Sequence, residues 1–156
     1  MLRHVFLAIA IVAATLAPKA QTIAQATQLI EDGDYAAAIE TLQAIMEKKP
    51  KDAEAPYTLG TTYLGLGDNA AAQEAFLVAK KNGSRDALYQ LAELELLRYE
   101  IEQAETYIAD YRKALKKAKK GTPDLSANFD SKLDRISSML DRVEKAIALL
   151  EDDARI

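Results

Sequence analysis

The chain has 156 residues, 49% of them hydrophobic and 28% charged, with 20 Lys and Arg against 24 Asp and Glu. It has no Cys and no Trp, and its single His is His4. Disulfides, thiolate metal sites and cysteine nucleophiles are excluded, and the acidic balance argues against coating nucleic acid or an anionic membrane.

The chain opens with a short basic stretch, Met1 to His4, followed by an uncharged apolar run of 13 residues from Val5 to Ala17. Small residues lead on to Ala20-Gln21. This is the layout of a secretory signal peptide over residues 1–20, cleaved after Ala20. Pro18 departs from that layout, standing where a small residue is usual. A span needs roughly 20 apolar residues, so the run is too short to stay as a membrane anchor. With no Cys after it, it is not a lipoprotein anchor either. The expected location is the periplasm or beyond it. Cleavage removes His4, Arg3 and Lys19, leaving 18 basic against 24 acidic side chains and a net charge of −6. A mature chain with neither His nor Cys lacks the commonest general base and the commonest transition-metal ligands. The expectation is no enzyme, no cofactor and no metal.

The middle of the chain repeats. Gly33-Asp34 and Gly67-Asp68 lie 34 residues apart. At that offset Ala26 falls on Gly60, Ala38 on Ala72, Leu42 on Phe76 and Ile45 on Ala79. After a further 32 residues, Gly60 falls on Ala92, Ala72 on Ala104, Phe76 on Ile108, Leu59 on Leu91 and Asp68 on Glu100. Each copy holds two helical stretches joined by a tight turn. Small residues at facing positions let the two backbones approach, and Leu42, Phe76 and Ile108 fill the space between hairpins. One hairpin cannot bury its apolar face alone, so about three are needed. The pattern predicts helices over 22–32, 35–48, 53–66, 69–82, 86–98 and 101–119. Gly121 ends this series. Thr122-Pro123-Asp124 then starts a last helix of about 28 residues, with a capping hydroxyl and a Pro in the first turn.

These residues resemble the tetratricopeptide-repeat family. The second copy matches best, with Leu59-Gly60, Tyr63, Ala72, Phe76 and Ala79. The first matches through Gly33-Asp34-Tyr35, Ala38 and the closing Pro50, with Gln25 where a large apolar residue belongs. The third keeps Leu91-Ala92 and Ala104 but has Glu95 for the Tyr, Tyr99 for the Gly and no closing Pro. The resemblance covers about residues 21–120. It implies an all-α, tetratricopeptide-type helical hairpin array of about three repeats, with residues 121–156 forming a long C-terminal capping helix and an acidic tail. From Ala87 onward the chain also resembles exported repeat modules of Bacteroidetes-type bacteria, which implies cell-envelope assembly or transport as the setting.

In that family the first helices of the hairpins line a concave face. The resemblance places Ile23, Thr27 and Ile30 there, then Tyr57, Thr61 and Leu64, then Tyr89, Glu93 and Leu96. The candidate groove is Ile23, Thr27, Tyr57, Thr61, Leu64, Tyr89, Glu93 and Leu96, with Tyr57 and Tyr89 as stacked anchors, since tyrosine joins an apolar body to a polar tip. The competing reading packs these tyrosines against neighbouring hairpins. The family's clamp for a terminal carboxylate uses Lys and Asn on these helices. Here Ile23, Thr27, Tyr57 and Glu93 stand instead, so an apolar or extended segment of another protein is the expected partner.

Arg112, Lys113, Lys116, Lys117, Lys119 and Lys120 form a basic run, read as a solvated helix end that favours the macrodipole. Glu93, Glu95, Glu100, Glu102 and Glu105 read as a solvated acidic face, without the loop spacing of a calcium site. The last helix carries Phe129, Leu133, Ile136, Leu140, Val143, Ile147 and Leu150 at alternating steps of four and three, a heptad seam. Met139 and Ala146 widen it, which suits packing on the chain's own array and a monomer. The alternative is a structural oligomer, a dimer assembled through this helix.

Overall fold

The computed structural model describes residues 21–153, so the expected signal peptide lies outside the described residues. Seven helices follow in order: α1 Ile23–Glu31, α2 Tyr35–Lys48, α3 Glu54–Gly65, α4 Asn69–Lys81, α5 Arg85–Leu97, α6 Ile101–Leu115 and α7 Ser126–Asp153. Among the described residues there is no strand. The helices pair as α1–α2, α3–α4 and α5–α6. The second helix of each pair packs on the first helix of the next element, α2 on α3, α4 on α5 and α6 on α7. No helix among the described residues is long and apolar enough to cross a membrane.

The repeated Gly-Asp dipeptide makes the hairpin turn. Gly33 and Gly67 sit at φ 80° and 78°, the left-handed region that ends a helix. The Asp that follows caps the next helix: Asp34 accepts from the Ala37 amide at 3.2 Å and Asp68 from the Ala71 amide at 3.0 Å. The third turn departs from this chemistry, as its sequence does. Tyr99 takes the glycine's place at φ 63°, and Glu100 makes no side-chain cap bond. The turn nevertheless closes in the same way, because the amides of Asp34, Asp68 and Glu100 each reach back five residues, to the carbonyls of Leu29, Tyr63 and Glu95.

The residues matched by the repeat form the core. Ala26, Ala38, Leu42, Ala72, Phe76, Ala92, Ala104 and Ile108 are all buried, as is Gly60. One cluster centres on Leu42, Ile45 and Leu59, a larger one on Phe76, Leu91 and Ile108, and Tyr63 touches both. Gly60 is required by contact rather than by backbone angle. A Cβ there would lie 2.5 Å from Cε1 of Phe76.

Three expectations need correction. Helix α6 ends at Leu115, not 119, where the amides of Lys117 and Ala118 turn to carbonyls three residues back in the middle of the basic run. Helix α7 starts at Ser126, and Thr122 does not cap it. Instead the Tyr111 hydroxyl donates to the Pro123 carbonyl at 3.3 Å and accepts from the Leu125 amide at 3.2 Å, which ties the linker to α6, and Asp124 accepts from the Ser126 amide at 2.9 Å. Those bonds to Ser126 hold the Asp124 carboxyl below its ordinary range. Finally, Glu95 is not on a solvated face. It is buried, accepting from Gln73 at 2.7 Å with Arg98 at 3.7 Å, and this network ties α4 to α5.

Helix α7 caps the array with only part of its seam. Phe129 is fully buried against the third hairpin, and Leu133 and Ile136 are half-buried there. Arg112–Asp130 and Lys132–Glu93 ion pairs and an Asn128–Tyr89 hydrogen bond pin the same turns. Beyond Leu140 every residue through Asp152 is exposed. The reason is length. The 28 residues of α7 extend about 42 Å, whereas the 13 of α5 and the 15 of α6 extend only about 20 and 22 Å.

Candidate functional site

The eight candidate groove residues divide by depth. On α1, Thr27 is exposed, with its hydroxyl donating to the Ile23 carbonyl at 3.0 Å, and Ile23 is half-buried against the first core cluster. On α3, Tyr57, Thr61 and Leu64 are half-buried and keep an accessible edge. On α5, Tyr89 and Leu96 belong to the core, at 6% and 2% exposed. Glu93 is half-buried and paired with Lys132 of α7, and its Oε1 is enclosed without a hydrogen-bond partner. The structure therefore keeps the α1 and α3 positions open and closes much of the α5 surface with α7.

The two tyrosines singled out by the sequence each stack on a core ring. Tyr57 lies against Phe76, centroids 5.7 Å apart and planes tilted by 50°, and Tyr89 against Tyr111, 5.7 Å and 58°. The Tyr89 hydroxyl accepts from Asn128 at 3.2 Å. Burial, and then the neighbouring Glu93 carboxylate, push its pKa above the ordinary 10.0. Tyr107 is raised by burial and by Glu95, and the Lys80 ammonium sits 4.8 Å from its ring centroid.

Tyr57 and Tyr89 do converge on one cleft. It holds about 300 Å³, and Tyr111, Arg85, Asp86, Gln90, Pro123 and Leu125 complete its walls. Three phenol rings from α3, α5 and α6 thus face a common space. The Arg85 and Asp86 side chains, 2.6 Å apart, stand at its edge. Sequence reasoning passed over Tyr111, Arg85 and Asp86. The apolar period of α6 (Ala104, Tyr107, Ile108, Tyr111) carried a signal for Tyr111, while Arg85 and Asp86 lie one turn before Tyr89 on α5. A second cleft, of about 370 Å³, lies between α5 and α7, lined by Glu93, Leu96, Leu97, Lys132, Arg135 and Ile136.

Hairpins of this geometry, stacked in series, are found in known proteins. Residues 29–79 match the tetratricopeptide-repeat family model. That stretch holds the end of α1, the second helix of the first hairpin and the second hairpin to within two residues of its end, the copies with Gly-Asp turns. No curated protein matches the chain in sequence. Solved structures share the fold at low identity. One is the type III secretion chaperone SycD of Yersinia enterocolitica in complex with a peptide of the translocator YopD, at 18% identity and TM-score 0.63, covering 75% of this chain and 90% of that one. SycD in an alternative dimer gives 18% and 0.62, over 75% and 89%. The first tetratricopeptide domain of Spaghetti (RPAP3), bound to the HSP90 peptide SRMEEVD, gives 16% and 0.60, over 76% and 89%. The fold is a tetratricopeptide-type helical array with a long C-terminal helix.

Proposed function

We propose that this chain is a protein-interaction module that holds a segment of another protein against the face of its first helices, and that it is not an enzyme. The observation that carries this reading is the cleft where Tyr57, Tyr89 and Tyr111 meet beside the open edge of α3. Aromatic walls with one ion pair at the rim suit an apolar or extended peptide, which gains from burial while its backbone finds polar partners. Two structures that share the fold hold peptides, one of YopD and one of HSP90, which supports a peptide-holding role here. Tyr57 is the anchor we assign, because Tyr89 is already committed to Tyr111 and Asn128.

We place the module outside the cytoplasm, in the periplasm or beyond, with residues 1–20 as a cleaved leader, 21–120 as the array and 121–156 as the long helix and tail. Envelope assembly or transport in a Bacteroidetes-type bacterium is the setting we favour. N-terminal sequencing of exported protein should begin near Gln21, and material still starting at Met1 would remove the leader. For the binding face, a photo-crosslinking amino acid at Tyr57 should capture a discrete partner that the same group at Glu47, exposed on α2, does not. Tyr57→Ala should then weaken that partner's binding by about 1–3 kcal/mol. Equal capture from both positions, or unchanged affinity, refutes the assignment.

A further inference from the structure

The distal half of α7 carries a seam with nothing on it. Val143, Ile147 and Leu150 continue the heptad of Phe129, Leu133 and Ile136, yet they are 49%, 51% and 71% exposed. The overhang follows from helix length, so no rotation of α7 about its axis could bury it within the described residues. We propose that this arm is a docking site for one helix of another protein, an amphipathic helix whose apolar seam is flanked by Lys or Arg.

The charges beside the seam choose this occupant over a second copy. On a helical wheel Glu144 and Glu151 follow Val143 and Leu150 directly and form one edge of the stripe, while Met139 and Ala146 form the other. Among the described residues neither Glu144 nor Glu151 makes an ion pair. Lys145 is spoken for by Asp141, 2.8 Å away, and both lie opposite the seam, as Arg142 lies beyond the Ala146 edge. Charges flanking a two-helix seam set partner choice. An antiparallel second copy would bring glutamate edge against glutamate edge. A parallel copy would set the glutamates against Met139 and Ala146. Neither offers a cation. A helix with basic flanks meets both glutamates and covers the apolar stripe.

The test uses the protein over residues 21–156 and three synthetic 21-residue peptides. One has a Leu/Ile heptad seam with Lys at both flanks. The second has the same seam with Glu flanks. The third has the composition of the first with its seam scrambled. In fluorescence anisotropy at moderate salt, the Lys-flanked peptide should bind at least tenfold tighter than either control. Ile147→Asp should weaken it at least tenfold with helicity by circular dichroism unchanged, since the site is exposed, and Tyr57→Ala should leave it unaltered. Equal binding of the Glu-flanked or scrambled peptide overturns the proposal, and so does insensitivity to Ile147→Asp. Sedimentation that reveals a homodimer abolished by Ile147→Asp would assign the arm to a second copy and overturn it as well.

Discussion

Replacing Gly60 with Ala tests the packing of the second hairpin, because two effects of opposite sign meet there. Gly60 is inside α3, where Ala is the better helix former by about 1 kcal/mol. If only the backbone mattered, the variant would be more stable. The added Cβ would stand 2.5 Å from Cε1 and 2.6 Å from Cδ1 of Phe76, about 1 Å inside ordinary contact. Phe76 has no exposed surface and Tyr57 lies on its ring, so relief requires moving a core aromatic. Overpacking of this kind costs about 1–3 kcal/mol, and such a close contact belongs at the upper end. The net expectation is a loss of about 1–2 kcal/mol. For a chain of this size that is a fall of about 2–8 °C in Tm, read by thermal and urea denaturation. Gly65→Ala in the same helix is the control: nothing lies within 4 Å of its Cβ, so stability should hold or rise by about 0.5 kcal/mol. Adding Phe76→Leu to Gly60→Ala should recover at least about 1 kcal/mol relative to the sum of the single changes. A Gly60→Ala protein as stable as the parent, or more so, would refute the close α3–α4 approach.

The cap and the arm of α7 should separate by truncation. Ending the chain after Lys120 removes Phe129, Leu133 and Ile136 and should cost about 3–5 kcal/mol, whereas ending it after Leu140 should cost less than about 1 kcal/mol, by urea denaturation. Tyr99→Gly should stabilise by about 0.5–1 kcal/mol, because Tyr99 holds a left-handed angle and is 55% exposed, so releasing the strain outweighs the lost contact; a lower Tm would show that the ring's packing matters more. Stability should decline above pH 10, since the raised pKa values of Tyr89 and Tyr107 keep both neutral in the fold after the unfolded chain has begun to ionise. That contribution is complete below pH 10 and is lost as the pH passes the folded values. Tyr107→Phe should flatten the decline, and late-titrating phenols should appear in the ultraviolet absorbance.

The hairpins were legible because their chemistry is local. A glycine followed by an aspartate is a helix end and a helix start wherever it stands, and a 34-residue recurrence of small residues marks where two backbones touch. Outside the turns, the small positions matched that way are in the core. The seam of α7 was also legible as a seam. What the sequence could not say is how much of it would find a surface. Periodicity gives the direction in which apolar side chains project, but coverage depends on where neighbouring helices stop, and α5 and α6 stop about 20 Å short of the end of α7. The same limit divided the two tyrosines. Tyr57 and Tyr89 occupy equivalent positions in their repeats, yet Tyr57 is half-buried with an open edge while Tyr89 is drawn into the core by Tyr111 and by Asn128, 39 residues away, and shows the cleft little of its surface. Sequence alone determined which residues share a face; tertiary structure decided which faces remain open, because burial is set by whatever element arrives last and how far it reaches.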